Sequence, residues 1–480
     1  MTNNHTYRIL PALMAAALML LACSPKEDAM SPKLPSIPSR TVSITDFGAC
    51  GDGVALNTSA FADAIKFLSS RGGGHLVVPE GIWRTGPIEL LSHIDLNLAA
   101  GALVVFDPDQ DLYPIIDTNF EGLDVRRCKS PLNATGATDI SVTGDGIFDG
   151  SGEFWREVKK RKVSSDQWKA IVARGGLVGE DGKAWYPDEG YYKARLTAGT
   201  LNYPDPSLDE NEIKTFLRPV MVSFRECERV LIEGCTFQNS PCWNIHPLWC
   251  KDLTIRNINV RNPHYSANGD GIDIDACENV LLTGSTFDVG DDAICIKSGK
   301  DADGRRHARS CRNLVISGCT VYHGHGGFVI GSEMSGGVEN VLVRDCSFIG
   351  TDVGLRFKSA RGRGGLVKDI RCERIYMKDI VSYAVVFNLY YAGVAATDME
   401  KNEEAGSVPV DETTPEFRDF EFSSIVCTGA SQAVYVNGLP ELPLRNVVFN
   451  DCSFVSDKEV EIHNAENIVF NNVKVNSKEI

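Results

Sequence analysis

The sequence predicts an all-β protein, a right-handed parallel β-helix, and three observations carry the prediction. A short apolar pattern recurs at Arg229 to Phe237, Asp252 to Val260, Asn279 to Phe287, Asn313 to Val321 and Asn340 to Phe348, with later copies at Asn446 to Phe454 and Asn467 to Val475. Each copy reads as two short strands with a turn between them. The copies are spaced from the low twenties to the mid thirties, too irregular and too β-rich for a helical solenoid, which suits coils of unequal loop length. A stacked coil buries its inward face only against its neighbours. The array is therefore one domain, 41–480, although length alone suggests roughly three domains of ~150 residues.

The elements follow in chain order. Arg8 precedes an apolar run, Ile9 to Ala22, too short to span a bilayer and shaped like a secretory signal, so 1–22 is read as a signal peptide. The run ends Leu20-Leu21-Ala22-Cys23, which resembles a bacterial lipobox and implies cleavage before Cys23 and lipidation of its thiol. Residues 23–40, with Pro25, Pro32, Pro35 and Pro38, form the tether. Lys26-Glu27-Asp28 resembles the surface-export signal of Bacteroides-type lipoproteins, so the expected location is the outer membrane or cell surface, or facing the periplasm, held by the lipid anchor only. Asp46-Phe47-Gly48-Ala49, a turn at Gly51-Asp52-Gly53 and an amphipathic segment Ser59 to Ser70 predict a strand, turn and helix that cap the open end of the solenoid. Residues 153–216, with Trp155, Trp168, Trp185, Tyr191 and Tyr192, interrupt the repeats as an aromatic insertion, mixed helical and irregular. The segment Asp398 to Glu416, with seven acidic residues against Lys401, reads as a solvated loop.

Composition excludes whole classes. With 43% hydrophobic residues there is ample material for a core, so disorder and small disulfide scaffolds are ruled out. The excess of 64 acidic over 48 basic residues, a net charge of −16, disfavours nucleic acid. The fifteen cysteines show no metal spacing; Cys235, Cys319, Cys346 and Cys452 sit at one place in the repeat, which suits stacked, buried small residues better than disulfides.

The densest chemistry lies on consecutive coils. Asp270 in Asn268-Gly269-Asp270-Gly271 precedes one strand copy, and Gly290-Asp291-Asp292 follows it. Parallel stacking brings equivalent turns within about 4.8 Å, so Asp270, Asp291 and Asp292 share one patch. Crowded carboxylates cannot all ionise cheaply; at least one is expected to hold a proton and act as general acid while the others act as bases. His323-Gly324-His325-Gly326-Gly327 and Arg356-Phe357-Lys358 follow on the next coils. Arg356 and Lys358 share a strand face and make an anion clamp. Structural turns and solvated edge cations would use the same residue types singly; the ordered set favours a site.

That set, Asn-x-Asp270, Gly290-Asp291-Asp292, Gly324-His325-Gly326 and Arg356-x-Lys358, resembles the four signature motifs of glycoside hydrolase family 28, the polygalacturonases. Asn239-Ser240-Pro241, Lys297-Ser298-Gly299-Lys300-Asp301 and Val329 to Gly337 are similar to bacterial members. Gly269 departs from the family, which usually has Thr there. The resemblance implies that Asp291 protonates the glycosidic oxygen, that Asp270 and Asp292 activate water, and that the configuration inverts. It implies that His325 supports the acid, that Arg356 and Lys358 bind the substrate carboxylate beside the cleaved bond, that Lys297 belongs to the substrate-binding set, and that Tyr391 positions the sugar. No cofactor and no metal are expected. The expected partner is an acidic polysaccharide, galacturonan, bound by a monomer. The insertion and Lys300 to Arg306 resemble exo-acting members.

Three alternatives remain at this point: a rhamnogalacturonan hydrolase of the same family, a pectate-lyase-like β-elimination enzyme on the same fold, and a non-catalytic glycan-binding adhesin. The net charge does not oppose an acidic substrate, because charge is uneven. Residues 355–371 hold Arg356, Lys358, Arg361, Arg363, Lys368 and Arg371 against Asp369, and 297–312 hold six basic residues against two acidic.

Overall fold

A computed structural model describes residues 31–199, 201–391 and 406–480. Cys23, the signal segment 1–22 and much of the acidic segment 398–416 lie outside the described residues.

Each repeat opens on a residue in the left-handed conformation. Arg229, Asp252, Asn279, Asn313, Asn340, Asn446 and Asn467 have φ between 54° and 60°. Asn and Asp tolerate this region because their short polar side chains bond locally. Here they bond along the stack: the Asn313 amide donates to Asn279 at 3.1 Å and the Asn340 amide to Asn313 at 2.9 Å. The strand that follows turns Val230, Leu253, Val280, Leu314 and Val341 inward, in register coil upon coil. A second left-handed pivot, Gly234, Asn257, Gly284 or Gly318, ends that strand, and Asp345 takes the same turn within the longer strand Val338–Ile349. The next short strand then stacks Phe237, Val260, Phe287, Val321 and Phe348 inside. The two pivots account for the Asn and Gly/Asp positions of the pattern.

Two parallel ladders arise from these two strands, joined through the long strands Val338–Ile349 and Leu366–Lys378; a third, of eleven strands, completes the coil. The result is a parallel β-helix. Its coils begin earlier than the visible repeats, with His93 and Asp139 taking the left-handed turn before Ile94–Leu98 and within Thr138–Gly144. One core of buried apolar side chains runs from Ile44 to Val475. Of the fourteen described cysteines, all free, thirteen are buried, including Cys235, Cys319, Cys346 and Cys452.

Helix α1, Thr58–Ser69, buries Ala60, Phe61, Ala64, Ile65 and Leu68 in the same core. The insertion is more ordered than the sequence suggested. It contains helices α2, Ser165–Val172, and α3, Glu189–Ala198, and also an antiparallel sheet of Val158–Lys159, Ala184–Tyr186 and Leu177–Val178. Strands of two or three residues carry too little alternation to be read from sequence. An antiparallel hairpin, Ile115–Phe120 with Leu123–Cys128, was likewise not anticipated. Its tip meets the core of the solenoid wall, where Lys300 N–H donates to Gly122 O at 2.9 Å.

Candidate active site

The third ladder carries the site. Its relevant strands are β1, Ile272–Asp275; β2, Asp292–Lys297; β3, Gly326–Ile330; β4, Val353–Lys358; and β5, Tyr383–Asn388. Parallel pairing of Ile272 with Ile294 sets Asp270 beside Asp292, and Gly271 N–H donates to Asp292 O at 3.0 Å. Asp270, Asp291 and Asp292 each bring a carboxylate oxygen within 4.8 Å of the others. The sequence expectation of one shared acidic patch is met by the fold.

Arg356 and Lys358 stand two coils further on and reach back across β3. Glycine at 326 leaves the path open: a Cβ there would lie 3.2 Å from Asp292 Oδ1 and 3.6 Å from Arg356 Cδ. Lys358 Nζ meets Asp292 Oδ2 at 2.7 Å and Arg356 Nη1 meets Asp292 Oδ1 at 3.3 Å, all three side chains being buried. The two cations thus hold a protein carboxylate first. Arg356 Nη2 is buried without a hydrogen-bond partner, so its N–H donors are left for an incoming anion. Tyr391 lies beneath both, its ring centroid 4.8 Å from Lys358 Nζ and 5.6 Å from Arg356 Cζ.

His325 faces Asp291, with Nδ1 3.2 Å from Oδ1, and on its other side Nε2 lies 3.8 Å from Asp352. The side chain of Asp291 is 24% exposed where that of Asp292 is 2% exposed, so Asp291 is the carboxylate of the pair that a ligand can touch. Lys297 lines the same cleft but is engaged by Glu333 at 2.8 Å and lies over Trp243.

Electrostatics separate the three carboxyls. Burial pushes Asp270 well above the ordinary carboxylate range, with Asp291, Asp273 and Asp292 adding to the effect and its Oδ1 lacking a hydrogen-bond partner. Burial also raises Asp291, but His325 beside it, by charge and hydrogen bond, more than offsets this and holds it low. Asp292 is raised by burial and lowered more by Lys358 and Arg356. Burial, with the neighbouring carboxylates, thus favours the protonated form at Asp270, while His325, Lys358 and Arg356 favour the charged form at Asp291 and Asp292. The negative charge of Asp291 in turn lifts His325 above its usual value. His325 and Asp291 are thus placed to share a proton.

Sequence reasoning missed several residues. Asp273, buried with neither oxygen hydrogen-bonded, sits 3.7 Å from Lys297 and is also pushed up by burial. Ser266 explains the departure at Gly269: a Cβ there would fall 2.0 Å from Ser266 Oγ, so the serine occupies the space a larger residue would need. Glu333 lies within the Val329 to Gly337 stretch, which carries no spacing signal for a role of its own. A loop serine three residues away and a cation from a distant insertion carry no spacing signal; Lys162, which lines the cleft facing Asp291, is of that kind.

The cleft has a volume of about 1130 Å³ and gathers the carboxylates, His325, Arg356, Lys358, Lys297 and Tyr391 with Lys159, Arg161 and Lys162 of the insertion. The three close carboxylate oxygens could also ligate a cation, although Lys358, Arg356 and His325 already neutralise two of them. Carboxyls shifted in opposite directions, an imidazole paired with one of them and a buried guanidinium form the equipment for acid–base cleavage of an acidic glycan.

Comparison with known proteins agrees. The family model described as "Glycosyl hydrolases family 28" matches residues 118–475. A probable polygalacturonase of Vitis vinifera is 28% identical over 92% of this chain and 81% of its own length. An exo-poly-alpha-D-galacturonosidase of Dickeya chrysanthemi is 27% identical over 83% of this chain and 64% of its own. The crystal structure of a hyperthermoactive exopolygalacturonase from Thermotoga maritima superposes with a TM-score of 0.77 at 31% identity, covering 94% of this chain and 95% of that one.

Proposed function

Because the chain belongs to glycosyl hydrolase family 28, we propose that it hydrolyses the α-1,4 linkages of polygalacturonate, acting from a chain end. The observation that carries this reading is the meeting, in one cleft, of the Asp270, Asp291 and Asp292 cluster with the buried donor on Arg356. In this reading the substrate carboxylate lies on Arg356 and Lys358, over Tyr391. Its negative charge, brought beside Asp291, draws the shared proton from His325 to Asp291, which passes it to the glycosidic oxygen as the C–O bond breaks. Asp270 with Asp292 activates the attacking water and accepts its proton. Lys297, tied to Glu333 and Asp273, holds the floor of the cleft and offers its charge to the sugar above.

Support for end-on action comes from the insertion, whose Lys159, Lys162, Tyr186, Arg195, Leu201 and Asn202 line the cleft, and from the exo-acting relatives. A time course on polygalacturonate tests it: early monomer or dimer alone is expected, and a ladder of products refutes it. Elimination chemistry would instead produce an unsaturated, ultraviolet-absorbing product. A rhamnogalacturonan substrate has a neutral rhamnose on one side of the cleaved bond, where the Arg356 and Lys358 pair would find no carboxylate to receive.

Inversion is the expected stereochemistry. A second reading, retention, is favoured by the carboxylate oxygens lying within 4.8 Å, closer than the about 6.5–9.5 Å usual between the carboxyls of inverting sites. Proton NMR of the first product decides: the β anomer means inversion, the α anomer retention.

For the whole protein we propose an exported monomeric lipoprotein anchored through Cys23, on the strength of the lipobox-like sequence and proline-rich tether. Cys23→Ser is expected to move the enzyme from the membrane fraction to the soluble one, and light scattering to report a single chain.

A further inference from the structure

The cations around the cleft divide into two groups. Lys358 and Arg356 are paired with Asp292, Lys297 with Glu333, Arg195 with Glu157 and Arg363 with Asp301. Four line the cleft with no ion-pair partner among the described residues: Lys300 of the solenoid, whose Nζ lies 5.2 Å from the centre of the Tyr203 ring, and Lys159, Arg161 and Lys162 of the insertion. Lys159 and Arg161 are exposed, as solvated cations commonly are, but Lys162 is half-buried. A partly desolvated ammonium without a carboxylate is costly unless something else brings the charge. In a chain of net charge −16 that arrangement is the more pointed.

The segment is also held rigidly. Lys160–Lys162 forms a single 3₁₀ turn directly after Val158–Lys159, which pairs with Ala184–Tyr186. Val158, Ile171 and Trp185 pack with Val163, Trp168 and Tyr265 in a small core beneath it. His264 Nε2 donates to Lys162 O at 3.0 Å, bolting the turn to the solenoid loop that leads into Asp270. Lys162 thus stands over the Asp291, His325 and Asp352 side of the cleft, while Arg356 and Lys358 stand on the Asp292 and Tyr391 side.

We propose that Lys162, with Arg161 and Lys159 beside it, forms a second uronate site that binds the carboxylate of the sugar on the other side of the scissile bond from Arg356 and Lys358. This rests on the galacturonate reading above and extends it: the enzyme reads two adjacent free carboxylates, one through the solenoid and one through the insertion. Burial lowers the proton affinity of Lys162 while Asp291 raises it, and an incoming carboxylate acts in the same direction as Asp291.

The test compares trigalacturonate with its methyl ester in the full chain and in Lys162→Ala and Arg161→Ala variants. Losing one charge-assisted hydrogen bond to the substrate is expected to raise KM for the free acid by about 10- to 100-fold for Lys162→Ala, with kcat little changed. The wild-type preference for the free acid over the ester should shrink by the same factor, and Lys162→Arg should restore it, which a merely structural role would not require. Unchanged KM and unchanged ester discrimination in both alanine variants overturn the proposal. Should wild-type enzyme release nothing from galacturonate oligomers, the galacturonate reading fails on its own. The rim is then judged by calorimetry of trigalacturonate binding to Asp291→Asn with and without Lys162→Ala: weaker binding supports the second site and equal affinity refutes it.

Discussion

Gly269→Ala should damage both stability and activity, and Ser266→Gly should repair the damage. An ideal Cβ at 269 would lie 2.0 Å from Ser266 Oγ and 2.9 Å from Ser266 Cβ. The hydroxyl has little room to yield. It donates to Pro263 O at 2.6 Å, and a Cβ built at Gly290 would lie only 2.7 Å from it on another side. Overpacking of this kind costs about 1–3 kcal/mol. Swinging the serine away forfeits a buried hydrogen bond worth about 1 kcal/mol. The single substitution is therefore expected to destabilise by about 2–4 kcal/mol in total. Ser266→Gly alone loses the hydrogen bond and adds backbone freedom, about 1.5–2 kcal/mol together. In the double variant the overlap is gone and the hydrogen bond is lost only once, so the two changes should couple favourably by about 2–4 kcal/mol. Activity should follow, because Gly269 O accepts from Asn262 Nδ2 at 3.1 Å and from Gly290 N–H at 3.4 Å, tying Asp270 to the turn of Asp291. Urea denaturation and reducing-sugar release on the four proteins of the cycle measure both effects. Strictly additive losses would refute the wedge.

Other perturbations test the site more directly. Asp291→Asn should lower reducing-sugar release by about 10²–10⁴-fold with the denaturation midpoint preserved; retained turnover would remove Asp291 from the acid role. Lys358→Met leaves Asp292 buried against Arg356 alone and should cost about 3–5 kcal/mol near neutral pH. Because Asp292 is held low in the folded state, its contribution is present above the ordinary carboxylate range and lost as pH falls through the lowered value; the gap between wild type and Lys358→Met should narrow in acid. His325 is raised by Asp291, so the stability it supplies is complete below its usual 6.5 and disappears as pH rises through the raised value. The alkaline limb of kcat/KM should accordingly lie above 6.5 in wild type and be absent from His325→Gln. Chelator should leave activity unchanged; loss that added Ca²⁺ restores would favour elimination over hydrolysis.

The fold was legible because it is written many times. A coil needs a left-handed pivot twice per turn and an apolar residue at every inward position, so Asn279, Asn313 and Asn340, Gly234 and Gly318, and Phe237 and Phe287 recur visibly. Where the pivot is His93 or Asp139, the same geometry is hidden from a pattern search, and the first coils went unread. The catalytic carboxylates were legible for the same reason: stacking converts a sequence offset of one coil into a distance of a few ångströms. What sequence could not decide is how charge is shared once the groups are together. Asp270 and Asp291 are equivalent as letters, but one is buried without a partner and the other faces a histidine, and only burial and neighbours set which keeps its proton. Nor could it place Ser266 or Lys162, since a loop contact and an insertion folded back over a cleft depend on tertiary packing rather than on any period along the chain. The sequence by itself determined the solenoid and the residues that line its active face; the tertiary structure decided their protonation, their partners and the wall that closes over them, because those depend on dielectric and distance, which no repeat encodes.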